Sequence, residues 1–143
     1  MDAPRSISVW VPVLPIKALS PNGGGRSRRN PWEVASAKLE LGTACHHAIL
    51  AAYAPEIPHF SVPVVITITM YAKHHTRNGD GYYRSTDPAN LGGDIAKPLV
   101  DALVRLDIID GDDYKRVTEV RLQMRHVDTL SDEGICITCE EGE

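Results

Sequence analysis

The chain has 143 residues, 43% of them hydrophobic and 24% charged, which is the composition of one globular domain around one core rather than of a disordered segment. The longest apolar run, Val62 to Ala72, is broken by Pro63, Thr67 and Thr69 and is about half the ~20 residues a membrane span needs; no basic-then-apolar leader opens the sequence, and three cysteines are too few and too odd for a disulfide scaffold. A membrane protein, a secreted mini-protein and a repeat array are thereby excluded, a reducing cytoplasm is the expected location, and the net charge of −4 splits into a basic part, residues 1–86 at +4, and an acid-rich part, residues 87–143 at −8.

Ser6 to Leu14 alternates Ile7, Val9, Val11 and Val13 against Ser6, Ser8, Trp10 and Pro12, which predicts a strand with Pro12 at an edge or bulge. A Gly-rich basic loop follows, containing Gly23, Gly24 and Gly25 and then Arg26, Arg28 and Arg29. Asn30-Pro31-Trp32-Glu33 reads as a helix start, with Asn as the cap and Pro in the first turn. That helix should run to about Tyr53 with a stripe of Val34, Leu41, Ala44, Ala48 and Ala52. Phe60 to Lys73 is the clearest strand, and His74 to Thr86 is a polar loop. Asp87 to Leu106 is predicted helical, with Gly92-Gly93 weakening its first turns so that it could begin near Asp94. Its apolar stripe is Ile95, Leu99, Ala102, Leu103 and Leu106. An acidic turn, Asp110 to Asp113, leads to a strand over Val117 to Arg125. A turn over Asp128 to Glu133 follows, then a strand from Gly134 to about Glu140, with residues 139–143 running into a loose tail. The expected fold is a single α/β (α+β) domain over residues 1–143, a compact β-α-β-α-β-β mixed sheet with helices packed on it.

The chemistry concentrates in the acid-rich part. On a helical wheel Asp87, Asn90, Asp94, Lys97 and Asp101 share one face, opposite the apolar stripe. A solvated helix face looks the same, and Asp87-Pro88 also suits an ordinary N-cap. The turn carrying Asp110, Asp112 and Asp113 returns toward the C-terminus of that helix, where added negative charge is unfavourable without a compensating cation. Mg²⁺ takes hard oxygen ligands, commonly one or two carboxylates plus substrate phosphates. Several Asp with one Lys therefore suffice for metal-assisted phosphodiester hydrolysis, in which the metal polarises the phosphoryl oxygen and lowers the pKa of its water while Lys offsets the charge on the phosphate. An acidic surface turn that binds nothing has the same spacing.

The stretch Asp87-Pro88-Ala89-Asn90, Lys97, Asp101-Ala102-Leu103 and Asp112-Asp113 before Val117 resembles the RusA family of Holliday junction resolvases. The first strand, the Ser20-Pro21-Asn22 turn and a helix with Trp32 near its start resemble that family's opening, so the resemblance covers roughly residues 6 to 140. It implies a RusA-like fold and a homodimeric endodeoxyribonuclease of phage or prophage type. Such an enzyme uses Mg²⁺, with Mn²⁺ as a substitute, to resolve four-way DNA junctions by paired symmetric nicks in recombination and repair. Asp87 matches the first Asp of the motif, Asn90 its Asn, Lys97 its Lys, and Asp113 or Asp112 its metal-binding Asp. Two departures stand out. Ala89 replaces the family's second carboxylate, and the spacing from Asn90 to Lys97 is longer by about one helical turn; Asp94, one turn after Asn90, supplies a carboxylate in its place. The resemblance thus implies catalytic roles for Asp87, Asp94, Lys97 and Asp113, and metal ligation by Asp87, Asp94, Asp112 and Asp113.

Arg26, Arg28, Arg29, Lys73, Arg77 and Arg84, with Asn90, are the expected DNA contacts, and Tyr82 and Tyr83 are suited to stacking on a base. No Gly-Lys-Ser/Thr follows Gly23-Gly24-Gly25, so no nucleotide cofactor is expected, and no membrane partner either. Cys136-x-x-Cys139 has the spacing of half a zinc site. In a strand, however, i and i+3 point to opposite faces, which favours structural cysteines. Two other functions remain open at this level: a catalytically silent binder of branched DNA with the same fold, and a small metal-dependent enzyme acting on a nucleotide.

Overall fold

A computed structural model of the chain describes residues 6–12, 31–72 and 88–142. Strand β1 spans Ser6–Val11, helix α1 Pro31–Tyr53, strand β2 Val64–Ala72, helix α2 Pro88–Arg105, strand β3 Val117–His126 and strand β4 Gly134–Glu141, with a 3₁₀ turn over Leu130–Asp132. The order β-α-β-α-β-β is the one expected, and the fold is α+β: a mixed four-stranded sheet with two helices packed on it. The strand order is β1-β4-β2-β3. β4 pairs antiparallel with β1 and β2, while β2 and β3 run parallel, joined by the long crossover through α2 that a parallel pair requires.

The alternation in each strand becomes rows across the sheet. Val9, Ile137, Ile68 and Leu122 lie side by side on β1, β4, β2 and β3, and Val11, Ile135, Met70 and Met124 form the next row. All are buried except Leu122 and Met124 on the edge strand, which are half-buried against the same core. α1 packs along β1, α2 along β3, and the two helices pack on each other. Buried Gly42 on α1 faces Pro98 of α2, where an added Cβ would already lie 3.6 Å from the Pro98 carbonyl oxygen. The Tyr53 hydroxyl accepts from the Ser8 backbone N–H at 3.2 Å and donates to its carbonyl at 3.3 Å, satisfying part of the β1 edge from the end of α1.

The residues between those rows face the other way. Ser8 Oγ lies 3.3 Å from Cys136 Sγ and 3.4 Å from Thr138 Oγ1, and the Thr69 hydroxyl donates to Gln123 at 3.3 Å. Trp10 leans over this face with its ring 5.5 Å from that of Tyr71. Gly134 lies beneath the indole, and a Cβ there would run into the ring.

Three details correct the sequence reading. Residues 139–141 are strand, not tail: Cys139, Glu140 and Glu141 pair with Ile66, Val65 and Val64, and the Gly142 N–H donates to the Pro63 carbonyl at 2.8 Å. Backbone pairing is indifferent to the acidic side chains that suggested a loose end. On α1 the buried stripe is Ala37, Leu41, Cys45 and Ile49; of the stripe expected, only Leu41 belongs to it, Ala44 and Ala48 are half-buried and Ala52 is exposed, while the side chain of Val34 lies outside the description. α2 begins at Pro88 and continues through Gly92 and Gly93. Its stripe of Ile95, Leu99, Ala102 and Leu103 is buried as expected, with Leu106, just past its end, half-buried.

Candidate functional site

The buried stripe of α2 fixes the opposite face outward, and that face carries Lys97 and Asp101 one turn apart. Lys97 Nζ donates to Asp112 Oδ2 at 2.7 Å and lies 3.2 Å from Asp101 Oδ1, so one ammonium gathers a carboxylate of its own helix and one from the turn after it. All three side chains are well exposed, Lys97 at 61% and Asp112 at 46%. The hydrogen bond to Asp112, then that to Asp101, raises the Lys97 pKa above its ordinary value. The same bond from Lys97 lowers that of Asp112. At neutral pH the group is a charged triad, and in water such a pair is worth little to stability.

Asp113 does something different. Its carboxylate accepts from the Lys115 backbone N–H at 2.9 Å and from Arg116 Nη1 at 2.8 Å. Its carbonyl accepts from the N–H groups of Arg116 and Val117. It shapes the entry to β3 rather than facing Lys97. Of the adjacent acids that the sequence left as alternatives, Asp112 is the one brought to the lysine.

Helix α2 ends at Arg105 on a tight cap. The Ile108 N–H donates to the Leu103 carbonyl at 2.9 Å and the Asp107 N–H to that of Val104 at 3.0 Å, with Asp107 in the left-handed region at φ 61°. This is the Schellman arrangement, closed by two buried side chains, Leu103 and Ile108. Glycine is usual at such a position, and Asp tolerates it better than most residues. The Ile108 carbonyl then accepts from the Phe60 N–H at 2.8 Å, which places His59 beside the turn, its Nε2 2.9 Å from Asp110 Oδ1.

The other expected site residues divide plainly. Asn90 and Asp94 belong to α2, on the turns preceding Lys97, and their side chains are outside the description. Asp87, Arg26, Arg28, Arg29, Lys73, Arg77 and Arg84 lie outside the described residues, as do Tyr82 and Tyr83. Cys136 and Cys139 sit on opposite faces of β4, which removes the half zinc site. Burial pushes the Cys139 and Cys45 thiols up to about 12. Reading the sequence did not single out His59 or Asp107. His59 lies between Pro58 and Phe60 in an aperiodic stretch, 51 residues from its partner Asp110, and no local pattern marks it. No protein-family model and no curated protein matches the chain.

Proposed function

We propose that this protein is a Mg²⁺-dependent, structure-selective endodeoxyribonuclease that resolves four-way DNA junctions as a cytoplasmic homodimer. The observation that carries this reading is the meeting of Lys97 with Asp112, fifteen positions apart in the chain, alongside Asp101. The RusA-like pattern requires its lysine and an acid of its Asp-Asp pair to work at one place, and the fold supplies that proximity. Among the described residues the groups paired with Lys97 are the carboxylates of Asp101 and Asp112, oxygen ligands of the kind that suits a hard cation. Asp101 and Asp112 already converge on one positive group. Asp112 is the described residue that would hold the ion, joined by Asp87 and Asp94 of the motif.

A bound Mg²⁺ supplies polarisation of the phosphoryl oxygen and a more acidic water. Lys97 offsets the negative charge that grows on the phosphate during hydrolysis. Asp101 and Asp112 hold the ammonium in position and keep it protonated, which is the sense of its raised pKa. Arg26, Arg28, Arg29, Lys73, Arg77 and Arg84 grip the junction arms, and binding weakens steeply with salt. Two identical sites are needed for two symmetric nicks, and a C₂ dimer supplies them.

One observation favours the second reading, a silent binder of branched DNA. Both acids of the pair already have cationic partners, Asp112 in Lys97 and Asp113 in Arg116, and Ala89 leaves one carboxylate of the pattern missing. A mobile four-way junction and a matching duplex, each with Mg²⁺ or EDTA, separate the two. Paired nicks confined to the junction, abolished by EDTA and by Asp112→Asn and reduced at least about a hundredfold by Lys97→Met, are the expected result. Tight junction binding without nicks favours the silent binder. Equal affinity for junction and duplex overturns both.

A further inference from the structure

Among the described residues the acids that follow α2 fall into two groups. Asp112 and Asp113 each hold a cationic side chain. Asp107 and Asp110 pair with no Lys or Arg among the described residues, and the partner of Asp110 is the imidazole of His59. Arg105, the basic residue in the last turn, turns away to α1, where its guanidinium lies beside Gly42. The two carboxylates sit just past a helix C-terminus, the end of the helix dipole at which added negative charge is unfavourable. Even so, one ligand atom each from Asp107, Asp110 and His59 lie within 4.8 Å of one another.

The geometry points to a second, separate metal site: His59, Asp107 and Asp110 bind a divalent transition ion of the Zn²⁺ class. Two ligand atoms in adjacent positions on an ion, each ~2.1 Å from it, stand about 3.0 Å apart in octahedral and about 3.4 Å apart in tetrahedral coordination. His59 Nε2 and Asp110 Oδ1 stand 2.9 Å apart across a hydrogen bond whose proton the ion would replace. Asp107 completes one face of a coordination sphere with a small side-chain adjustment that its exposure permits, and water fills the rest. The backbone is set before any ion arrives. The Phe60–Ile108 hydrogen bond fixes His59 against the turn, and the cap of α2 fixes Asp107. One imidazole nitrogen with two carboxylates selects Zn²⁺ over Mg²⁺ or Ca²⁺, which favour all-oxygen sets. The bound ion straps the segment leading into β2 to the end of α2. It thereby stabilises the native chain by mass action.

This inference stands apart from the nuclease reading, and different residues test it. Untagged, EDTA-treated full-length protein is titrated with Zn²⁺ by calorimetry and then melted with and without the ion. In excess Mg²⁺, which fills the carboxylate site beside Lys97, the expected result is one Zn²⁺ site and a higher Tm in Zn²⁺. Loss of a group that merely supports a ligand costs ~10–100-fold in metal affinity, so His59→Ala and Asp110→Asn should each weaken binding by at least tenfold and abolish the Tm rise. Asp107→Asn is the second variant should either of those fail to fold, and it should behave alike. Asp112→Asn and Cys136→Ser should bind as the parent does. Absence of binding overturns the proposal, as does Zn²⁺ affinity unchanged by His59→Ala, or lost in Cys136→Ser.

Discussion

Along β2 the inward residues Val64, Ile66, Ile68 and Met70 are fully buried, while Val65, Thr67, Thr69 and Tyr71 between them stay partly open. The same division crosses β4, where Cys139 is sealed under the helices and Cys136, three residues earlier, touches Ser8 on the other side. The covered face is built of aliphatic rows in which, among the described residues, the Cys139 thiol is the one polar group. The open face carries hydroxyls, one amide, one thiol and the Arg121–Glu119 ion pair, with Trp10 and Tyr71 at one end. One strand pattern therefore serves two environments, and what separates them among the described residues is that both helices pack on one side.

Thiol chemistry breaks the comparison open most sharply. Cys45 and Cys139 are buried with pKa values pushed up to about 12, so at neutral pH they are protonated and shielded, and the thiolate is the reactive form. A disulfide reagent should label Cys136 of the native protein and reach the other two only through opening of the fold, slower by a factor of about a thousand or more. In denaturant all three should react at one rate. Rapid labelling of Cys139 in the native state would mean that the helices do not close that face.

Substitutions at neighbouring positions of β2 measure the same contrast in stability. Ile68→Ala removes a fully buried side chain from the centre of a four-strand row and should cost about 2–5 kcal/mol, read as a lower urea midpoint at unchanged slope. Thr67→Ala, one residue away on the open face opposite Thr138 and Arg121, should cost about 1 kcal/mol or less. Equal losses would show that the open face is covered in solution.

What the sequence made legible follows from which forces are local. Element order, the start of α1 at Pro31 and the stripe of α2 depend on spacing within one segment, and the alternation of β2 could be read to within a few residues. The insertion of β4 between β1 and β2, and the parallel partnership of β2 and β3, depend on pairings across most of the chain that no periodicity records. The α1 stripe was misplaced because its apolar residues surround the helix. Leu39 is 72% exposed while Cys45 is sealed, and small alanines mark no face strongly. In the candidate site, Lys97 could be linked to the acidic turn because the turn follows the lysine's own helix. His59 could not, since only the folded backbone contact between Phe60 and Ile108 carries it there.

The smallest effect expected belongs to the triad itself, and pH separates it from the core. The Asp112 pKa is lowered by Lys97, so its contribution to stability is complete above the unfolded carboxyl value of ~3.9 and is lost as pH falls through the lower folded value. The Lys97 pKa is raised, so its contribution is complete below the unfolded lysine value of ~10.4 and is lost as pH rises through the higher folded value. The difference in stability between the parent and Lys97→Met should therefore be a small plateau from about pH 4 to 10 that fades at both ends. It should shrink further in high salt, because all three side chains face water. The Ile68→Ala loss has no titrating group behind it and should persist across the same range. A Lys97→Met loss as large as that of Ile68→Ala, or one indifferent to salt, would mean the triad is enclosed by something more than the described surface, and the exposed face of α2 would then have to be treated as an interface.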